Sequence, residues 1–128
     1  MVLLDTHVFI WLAADRARLS RAALRAISKS SRRLILDLTL REVAQLTAVG
    51  RLTLDRDVET WLDDAMVANA VEVVAIDAAI AARSTRLAPT FHGDPVDQLI
   101  AATSIVLDVP LVTADENLRA SPALHTIW

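Results

Sequence analysis

The sequence contains no cysteine among its 128 residues. This absence excludes a disulfide framework and a thiolate metal site, so we expect stability to come from packing, with oligomerisation as a second source. No apolar run approaches the length of a membrane span, and the start Val2 to Leu4 lacks the basic residues of a signal peptide. We therefore expect a cytoplasmic protein that has no membrane partner.

Charged residues are unevenly distributed. The net charge of -3 argues against a protein that coats nucleic acid generally. No acidic residue occurs between Arg16 and Arg33, although this segment holds seven of the thirteen basic residues. Four of the seven recur at spacings of three and four, as expected for one face of a helix. This stripe is a candidate surface for binding nucleic acid, with a solvated helix face as the alternative: Arg21, Arg25, Lys29 and Arg32.

The hydrophobic fraction of 54% is high for a short chain, and we expect a homodimer that buries part of this surface. No repeat, linker or low-complexity segment interrupts the chain, so residues 1–128 are expected to form one domain. Short apolar runs predict strands, and they alternate with segments of helical periodicity. This order predicts an α/β protein, a three-layer α/β/α sandwich around a mainly parallel sheet of four or five strands.

Sequence patterns place the strands at residues 2–4, 34–36, 71–76 and 110–113, with an edge strand at 125–128. Helices are predicted after Thr6, after Ser20, from Thr39 to near Gly50, and at 57–68, 78–87 and 95–107. In open parallel sheets, ligands bind outside the carboxyl ends of the strands. Residues that follow strands are therefore the first candidates for a functional site.

Four acidic residues are predicted to meet at that edge. Asp5 and Asp115 each end an apolar strand, and Glu42 and Asp97 each begin a helix. Four carboxylates at one place repel one another unless their pKa values rise or a cation binds, and oxygen ligands favour Mg²⁺ or Mn²⁺. A bound ion would polarise a phosphodiester and activate a water molecule. The pattern therefore indicates a metal-dependent site for the hydrolysis of phosphodiester bonds.

Each acid also has an alternative structural role. Glu42 can complete a capping box with Thr39, and Asp97 can stabilise the helix dipole. Asp94, followed by proline, is typical of a helix cap. Asp5 can cap the first helix, and Asp115 can sit in an ordinary turn. The functional interpretation depends on all four acids occurring together.

The chain resembles the PIN-domain family, and within it the VapC-type toxins of bacterial toxin-antitoxin pairs. The similarity spans nearly the whole chain and lies in four segments: residues 3–7 with Trp11, residues 40–46 with Gly50 to Leu52, residues 93–103, and residues 111–115. Many relatives have a small hydroxyl residue where this chain has Asp37.

The resemblance implies an endoribonuclease that requires Mg²⁺ or Mn²⁺ and is blocked by a small cognate antitoxin. It implies Asp5 and Asp97 as principal metal ligands, with Asp94 as an alternative ligand. Glu42 and Asp115 would complete the site directly or through water. Thr6 or Thr113 would support it.

Three other functions remain open at this point. A nuclease on the same scaffold can act on DNA, or in RNA processing outside a toxin-antitoxin system. A phosphoacceptor domain also carries aspartates at strand ends, but it needs a lysine near the phosphate, and the only lysine is Lys29. A binding module without activity would not require four acids. His7 and His92 lie beside the motifs and are interpreted as structural rather than as proton shuttles.

Overall fold

Five parallel strands form the central sheet of the computed structural model, which describes residues 1–91 and 93–128. They are β1 (Val2–Leu4), β2 (Arg33–Leu36), β3 (Val71–Val74), β4 (Leu111–Val112) and β5 (Thr126–Ile127). Their order in the sheet is β3-β2-β1-β4-β5, and all four neighbouring pairs are parallel. The predicted mainly parallel sheet is confirmed.

Seven α-helices connect the strands within the described part of the chain. They are α1 (Thr6–Ala14), α2 (Arg21–Lys29), α3 (Asp37–Ala48), α4 (Val58–Ala68), α5 (Ala78–Ser84), α6 (Pro95–Leu107) and α7 (Glu116–Arg119), with a 3-10 turn at Arg16–Arg18. None of the helices in residues 1–91 and 93–128 combines the length and the apolar character that crossing a membrane requires.

Both faces of the sheet are buried, because successive strand residues point to opposite sides. Leu4 packs in one cluster with Phe9 of α1 and Trp61 of α4. Leu3 packs in a second cluster with Ile100 of α6. The helices therefore form two outer layers, and the predicted three-layer α/β/α sandwich is confirmed.

The strand order reverses beside β1. The chain passes from β1 outward to β2 and β3, and then returns to pair β4 on the other side of β1. Such a reversal separates the connections that leave the two central strands and opens a crevice at their carboxyl ends. Asp5 follows β1 and Asp115 follows β4 closely, so both lie at this crevice.

Two helix starts decide between roles that the sequence left open. Asp5 caps α1, since its Oδ1 accepts a hydrogen bond from the backbone N–H of Thr6 at 2.7 Å. The capping box expected of Thr39 and Glu42 does not form, because the chain turns directly from β2 into α3 and the helix begins at Asp37. Thr39 lies inside α3 and is fully buried.

Smaller differences concern the ends of elements. The strand predicted at 71–76 ends at Val74, and the helix predicted at 78–87 ends at Ser84. Helix α7 was not predicted, because its four residues are too few to show a periodic pattern. Propensity and periodicity locate elements better than they locate the residues where elements end.

Candidate active site

Asp5 is the most buried acid of the site, with 6% of its surface exposed. It follows β1 directly, so its carboxylate lies at the crevice. Besides the bond from Thr6, its Oδ2 accepts a hydrogen bond from the hydroxyl of Thr113 at 2.7 Å. Burial raises the pKa of Asp5, although the hydrogen bonds from Thr113 and Thr6 oppose this shift. Both oxygens are thus held in fixed directions.

Glu42 reaches the same region from the second turn of α3. The hydroxyl of Thr6 donates to its Oε2 at 3.0 Å. Burial raises the pKa of Glu42, the bond from Thr6 opposes the shift, and the charges of Asp5 and Asp94 raise the pKa further. Glu42 is therefore close enough to two other acids to feel their charge.

Asp94 and Asp97 stand together at the start of α6 and differ in role. Asp94 is the helix cap, because its Oδ1 accepts a hydrogen bond from the backbone N–H of Asp97 at 2.9 Å. Burial, followed by the charges of Asp94, Asp115 and Asp5, raises the pKa of Asp97 to about 7. Asp97 is thus a carboxylate whose pKa reflects its burial first and the charges of three other acids second.

Asp115 caps the short helix α7, since its Oδ1 accepts from the backbone N–H of Leu118 at 3.0 Å. Its own backbone N–H donates to the hydroxyl of Thr113 at 3.0 Å. Because the same hydroxyl donates to Asp5, Thr113 joins the segments that follow β4 and β1. The turn after β4 is thereby held in register with Asp5.

Thr39 is a member of this network that the sequence analysis missed. Its hydroxyl oxygen lies 3.3 Å from that of Thr6. A hydroxyl has one proton to donate, and the proton of Thr6 goes to Glu42, so Thr39 is the donor in this pair. A threonine at a helix position that faces the core was the available signal, and the capping-box interpretation obscured it.

The acids fit a hard divalent cation by their chemistry. Across residues 1–91 and 93–128, no three histidine or acidic side chains are close enough to enclose an ion as they stand. The donors are nevertheless all carboxylates, and burial together with three neighbouring negative charges raises the pKa of Asp97. A cation relieves this repulsion, and carboxylate oxygens are the ligands that Mg²⁺ and Mn²⁺ prefer.

Asp37 joins the end of β2 to the segment after β3. Its Oδ2 accepts from the backbone N–H of Ile76 at 3.1 Å. Its Oδ1 is buried and has no hydrogen-bond partner among the described residues.

The basic stripe does not coincide with the acidic cluster. Arg21, Arg25 and Lys29 are exposed along α2. Arg32 forms an ion pair with Glu72 at 2.9 Å and precedes β2, so it lies at the edge of the sheet opposite to the acids. His7 is exposed beside Asp5, and His92 lies outside the described residues.

Gly93 provides the space that Asp97 occupies. A Cβ atom at Gly93 would lie 2.7 Å from the Cβ of Asp97 and 2.6 Å from Cε1 of Phe91. Gly93→Ala is therefore expected to displace Asp97 and to lower the turnover of RNA about ten- to a hundredfold, because small misplacements of reacting groups cost that much. Initial cleavage rates at saturating RNA measure the effect.

Gly50 offers a matched control. It has a positive φ of 75°, and nothing lies within 4 Å of its Cβ position. Gly50→Ala should destabilise the fold by about 1 kcal/mol through its backbone and leave turnover unchanged. Equal turnover for Gly93→Ala and the parent protein would contradict the role of Gly93.

The chain is similar to known proteins over nearly its whole length. The family model described as "PIN domain" matches residues 2–123 of this chain. Ribonuclease VapC22 of Mycobacterium tuberculosis is 38% identical over 129 aligned positions, which cover 99% of this chain and 98% of that protein.

Solved structures of similar fold include VapBC2 from Rickettsia felis bound to a promoter DNA fragment. It has a TM-score of 0.73 and 18% identity and covers 98% of this chain and 97% of the other. A toxin-antitoxin complex from Klebsiella pneumoniae has a TM-score of 0.66 and 20% identity, with 97% and 95% of the two chains covered. At such identities, the structures show that the fold is shared.

Proposed function

Because this chain belongs to the PIN-domain family, we propose that it is a metal-dependent endoribonuclease and the toxin of a toxin-antitoxin pair. The observation that carries the proposal is the gathering of Asp5, Glu42, Asp97 and Asp115 at the carboxyl edge of the sheet, where their charges act on one another. The similarity to a ribonuclease over the whole chain supports RNA as the substrate class.

In this proposal, Asp5 and Asp97 hold Mg²⁺ or Mn²⁺, with Asp94 as the alternative ligand. A bound ion supplies charge for the scissile phosphate and lowers the pKa of the attacking water. Glu42 and Asp115 complete the site directly or through water. Thr113 holds Asp5, and Thr6 holds Glu42, so the two hydroxyls keep the carboxylates oriented before the substrate arrives.

The test is incubation of the purified protein with an RNA pool in Mg²⁺, in Mn²⁺ or in chelator, followed by mapping of the cleaved ends. We expect cleavage inside RNA chains in either metal and none in chelator. A parallel incubation with single-stranded DNA separates a ribonuclease from a DNA-directed nuclease. Cleavage that chelator does not diminish would refute the metal mechanism.

The toxin role adds an antitoxin and a homodimer to the proposal. Exposed apolar side chains, Val67 at 83% and Val73 at 43%, support an interface between copies, because burial would remove them from water. A short protein encoded next to this chain should bind it and stop RNA cleavage. Light scattering during gel filtration should give the mass of two copies for the protein alone.

Basic residues must compensate the repulsion between the acids and RNA phosphates. We expect charge reversal at both Arg25 and Lys29 to weaken RNA binding about tenfold in low salt and to reduce its salt dependence. Fluorescence polarisation of a labelled RNA across a salt series measures both quantities.

A suitable control is Arg56→Gln. Its charge is already paired with Asp55 at 2.9 Å and Asp64 at 2.7 Å, so its loss should change RNA binding little. Unchanged binding after reversal of Arg25 and Lys29 would remove α2 from the RNA-binding surface.

A further inference from the structure

Three aromatic side chains and one arginine form a continuous surface beside the acids. The ring centroids of His7 and Trp11 are 5.9 Å apart, and those of Trp11 and Trp128 are also 5.9 Å apart. The guanidinium carbon of Arg18 lies 4.8 Å from the ring centroid of Trp11. We call His7, Trp11, Arg18 and Trp128 the aromatic surface.

The aromatic surface is joined to the acidic cluster at two points. His7 follows Asp5 by two residues, and its charge lowers the pKa values of Asp5 and Glu42. Trp128 follows Ile127, whose carbonyl accepts from the backbone N–H of Thr113 at 3.2 Å. Because Thr113 also donates to Asp5, the surface begins at the most buried acid and extends outward.

Core packing accounts for Trp61 completely but for these rings only in part, since one side of Trp11 and of Trp128 packs against the same hydrophobic cluster. Trp61 is 6% exposed and contacts Phe9 edge to face, with ring centroids 6.0 Å apart. Trp11 and Trp128 are only half-buried, and His7 is exposed. The part of Trp11 and Trp128 that does not pack against the core, together with His7, therefore remains in contact with solvent.

Arg18 is held by the ring of Trp11 while its donors stay available. Arg32 and Arg56 form ion pairs, whereas Arg18 forms none with any residue in the ranges 1–91 and 93–128. A guanidinium that stacks on an indole keeps its N–H groups in the plane and directed outward, where a phosphate can accept from them.

We propose that the aromatic surface binds a nucleotide of single-stranded RNA next to the scissile phosphate, with its base against His7 and Trp128 and a backbone phosphate on Arg18. This inference rests on the proposed ribonuclease function. Aromatic rings with an adjacent cation are the combination that binds unpaired nucleotides, because every base has a face that can stack and every phosphate carries a charge. Neighbouring rings are tilted by 50° and 52°, so they do not stack face to face on one another, and a base can lie against their exposed faces.

The first test measures binding without cleavage. A labelled single-stranded RNA oligonucleotide is titrated with the protein in chelator at low salt, and fluorescence polarisation gives Kd. Trp128→Ala is expected to weaken binding about tenfold, whereas Trp128→Phe, which keeps a ring, should stay within about threefold of the parent protein. Trp61→Phe is the control for loss of an indole in the core, and melting temperatures show that each variant is folded.

The second test concerns the phosphate. Arg18→Gln is expected to reduce the slope of log Kd against log salt by about 0.7, the value for one phosphate contact on a single strand. Arg16→Gln is the matched control, since Arg16 lies in the same 3-10 turn but donates to Asn69 at 3.0 Å and to the carbonyl of Leu12 at 3.2 Å. Equal slopes for the two variants would overturn the assignment of Arg18.

The outcomes separate this inference from the proposed function. If the parent protein cleaves RNA while Trp128→Ala and Arg18→Gln bind the oligonucleotide as the parent does, the aromatic surface is not an RNA site. Binding of duplex RNA as tightly as of the single strand overturns it too, because paired bases cannot stack on the rings. Loss of antitoxin binding in Trp128→Ala, with RNA binding intact, assigns the surface to the protein partner and also overturns it. Oligonucleotide binding that depends on Trp128, without cleavage in Mn²⁺, supports the surface and refutes the nuclease.

Discussion

Asp5→Asn is expected to reduce RNA cleavage about a thousandfold or more while the protein stays folded. A metal centre supplies several kcal/mol of transition-state stabilisation, and about 4 kcal/mol corresponds to a thousandfold in rate. Asparagine caps helices as well as aspartate does, so its amide oxygen can still accept from Thr6. The hydroxyl of Thr113 can accept from the new amide instead of donating to it. Initial rates in Mg²⁺ and thermal melting measure the two effects.

Asp77→Asn is the matched control. Asp77 caps α5 in the same way, since its Oδ1 accepts from the backbone N–H of Ile80 at 2.9 Å. The Asp77→Asn variant replaces an aspartate cap by asparagine at a position outside the four acids of the site. It should cleave RNA at the parental rate. If Asp5→Asn retained more than about a tenth of parental activity, Asp5 would be a helix cap and not a metal ligand.

The metal-free protein is expected to become more stable when Asp97 is replaced by asparagine. Its pKa is about 7 in the folded state against an ordinary value of 3.8, so folding favours the protonated form. The protonated Asp97 side chain therefore contributes to the free energy of unfolding at low pH, and this contribution is lost as the pH rises from about 4 through about 7. The full difference corresponds to about 4 kcal/mol, and solvent at the half-buried carboxylate reduces this to about 1–2 kcal/mol at pH 8.

Thermal melting in chelator at pH 5 and pH 8 tests this expectation. The parent protein should lose more stability between the two pH values than Asp97→Asn does. At pH 8, Asp97→Asn should melt several degrees higher than the parent, at roughly 4 °C per kcal/mol for a chain of this size. A lower melting temperature for Asp97→Asn at pH 8 would show that its carboxylate stabilises the fold and is not strained by its neighbours.

Addition of Mn²⁺ should reverse the order. A ligand that binds only the folded state raises its stability, so the parent should gain several degrees in millimolar Mn²⁺, and Asp97→Asn should gain little. Asp94→Asn is the control that decides between the two aspartates, because asparagine preserves the cap at Asp94. If Asp94→Asn lost the gain and Asp97→Asn kept it, Asp94 would be the direct ligand.

Local patterns predicted the sheet and most helices because each element carries its own periodicity. Three strands, β1, β2 and β4, were located within a residue of their observed ends from short apolar runs. The capping residues Ser20, Asp57, Asp77 and Asp94 follow from side chains that bond to the backbone nearby in sequence. The start of α3 was predicted wrongly, because no loop separates this helix from β2 and no side chain caps it.

For the site, the sequence by itself determined which acids follow strands or open helices, and hence that Asp5 and Asp115 share one edge of a parallel sheet. The sequence did not determine which side chains form hydrogen bonds with these acids. Thr113 donates to Asp5, 108 residues earlier in the chain, and Thr6 donates to Glu42, 36 residues later. Such bonds depend on the strand order, which places β4 beside β1.

The tertiary structure alone separated Asp94 from Asp97. Both are aspartates in one short segment, but one carboxylate bonds to the backbone and the other stands among three like charges. The tertiary structure also separated Arg32 from the rest of the basic stripe. Arg32 donates to Glu72, which is 40 residues later in the chain, beside the start of β2 and away from the acids. Local patterns record which groups a segment offers, whereas the charge and burial that set their chemistry come from segments distant in the chain.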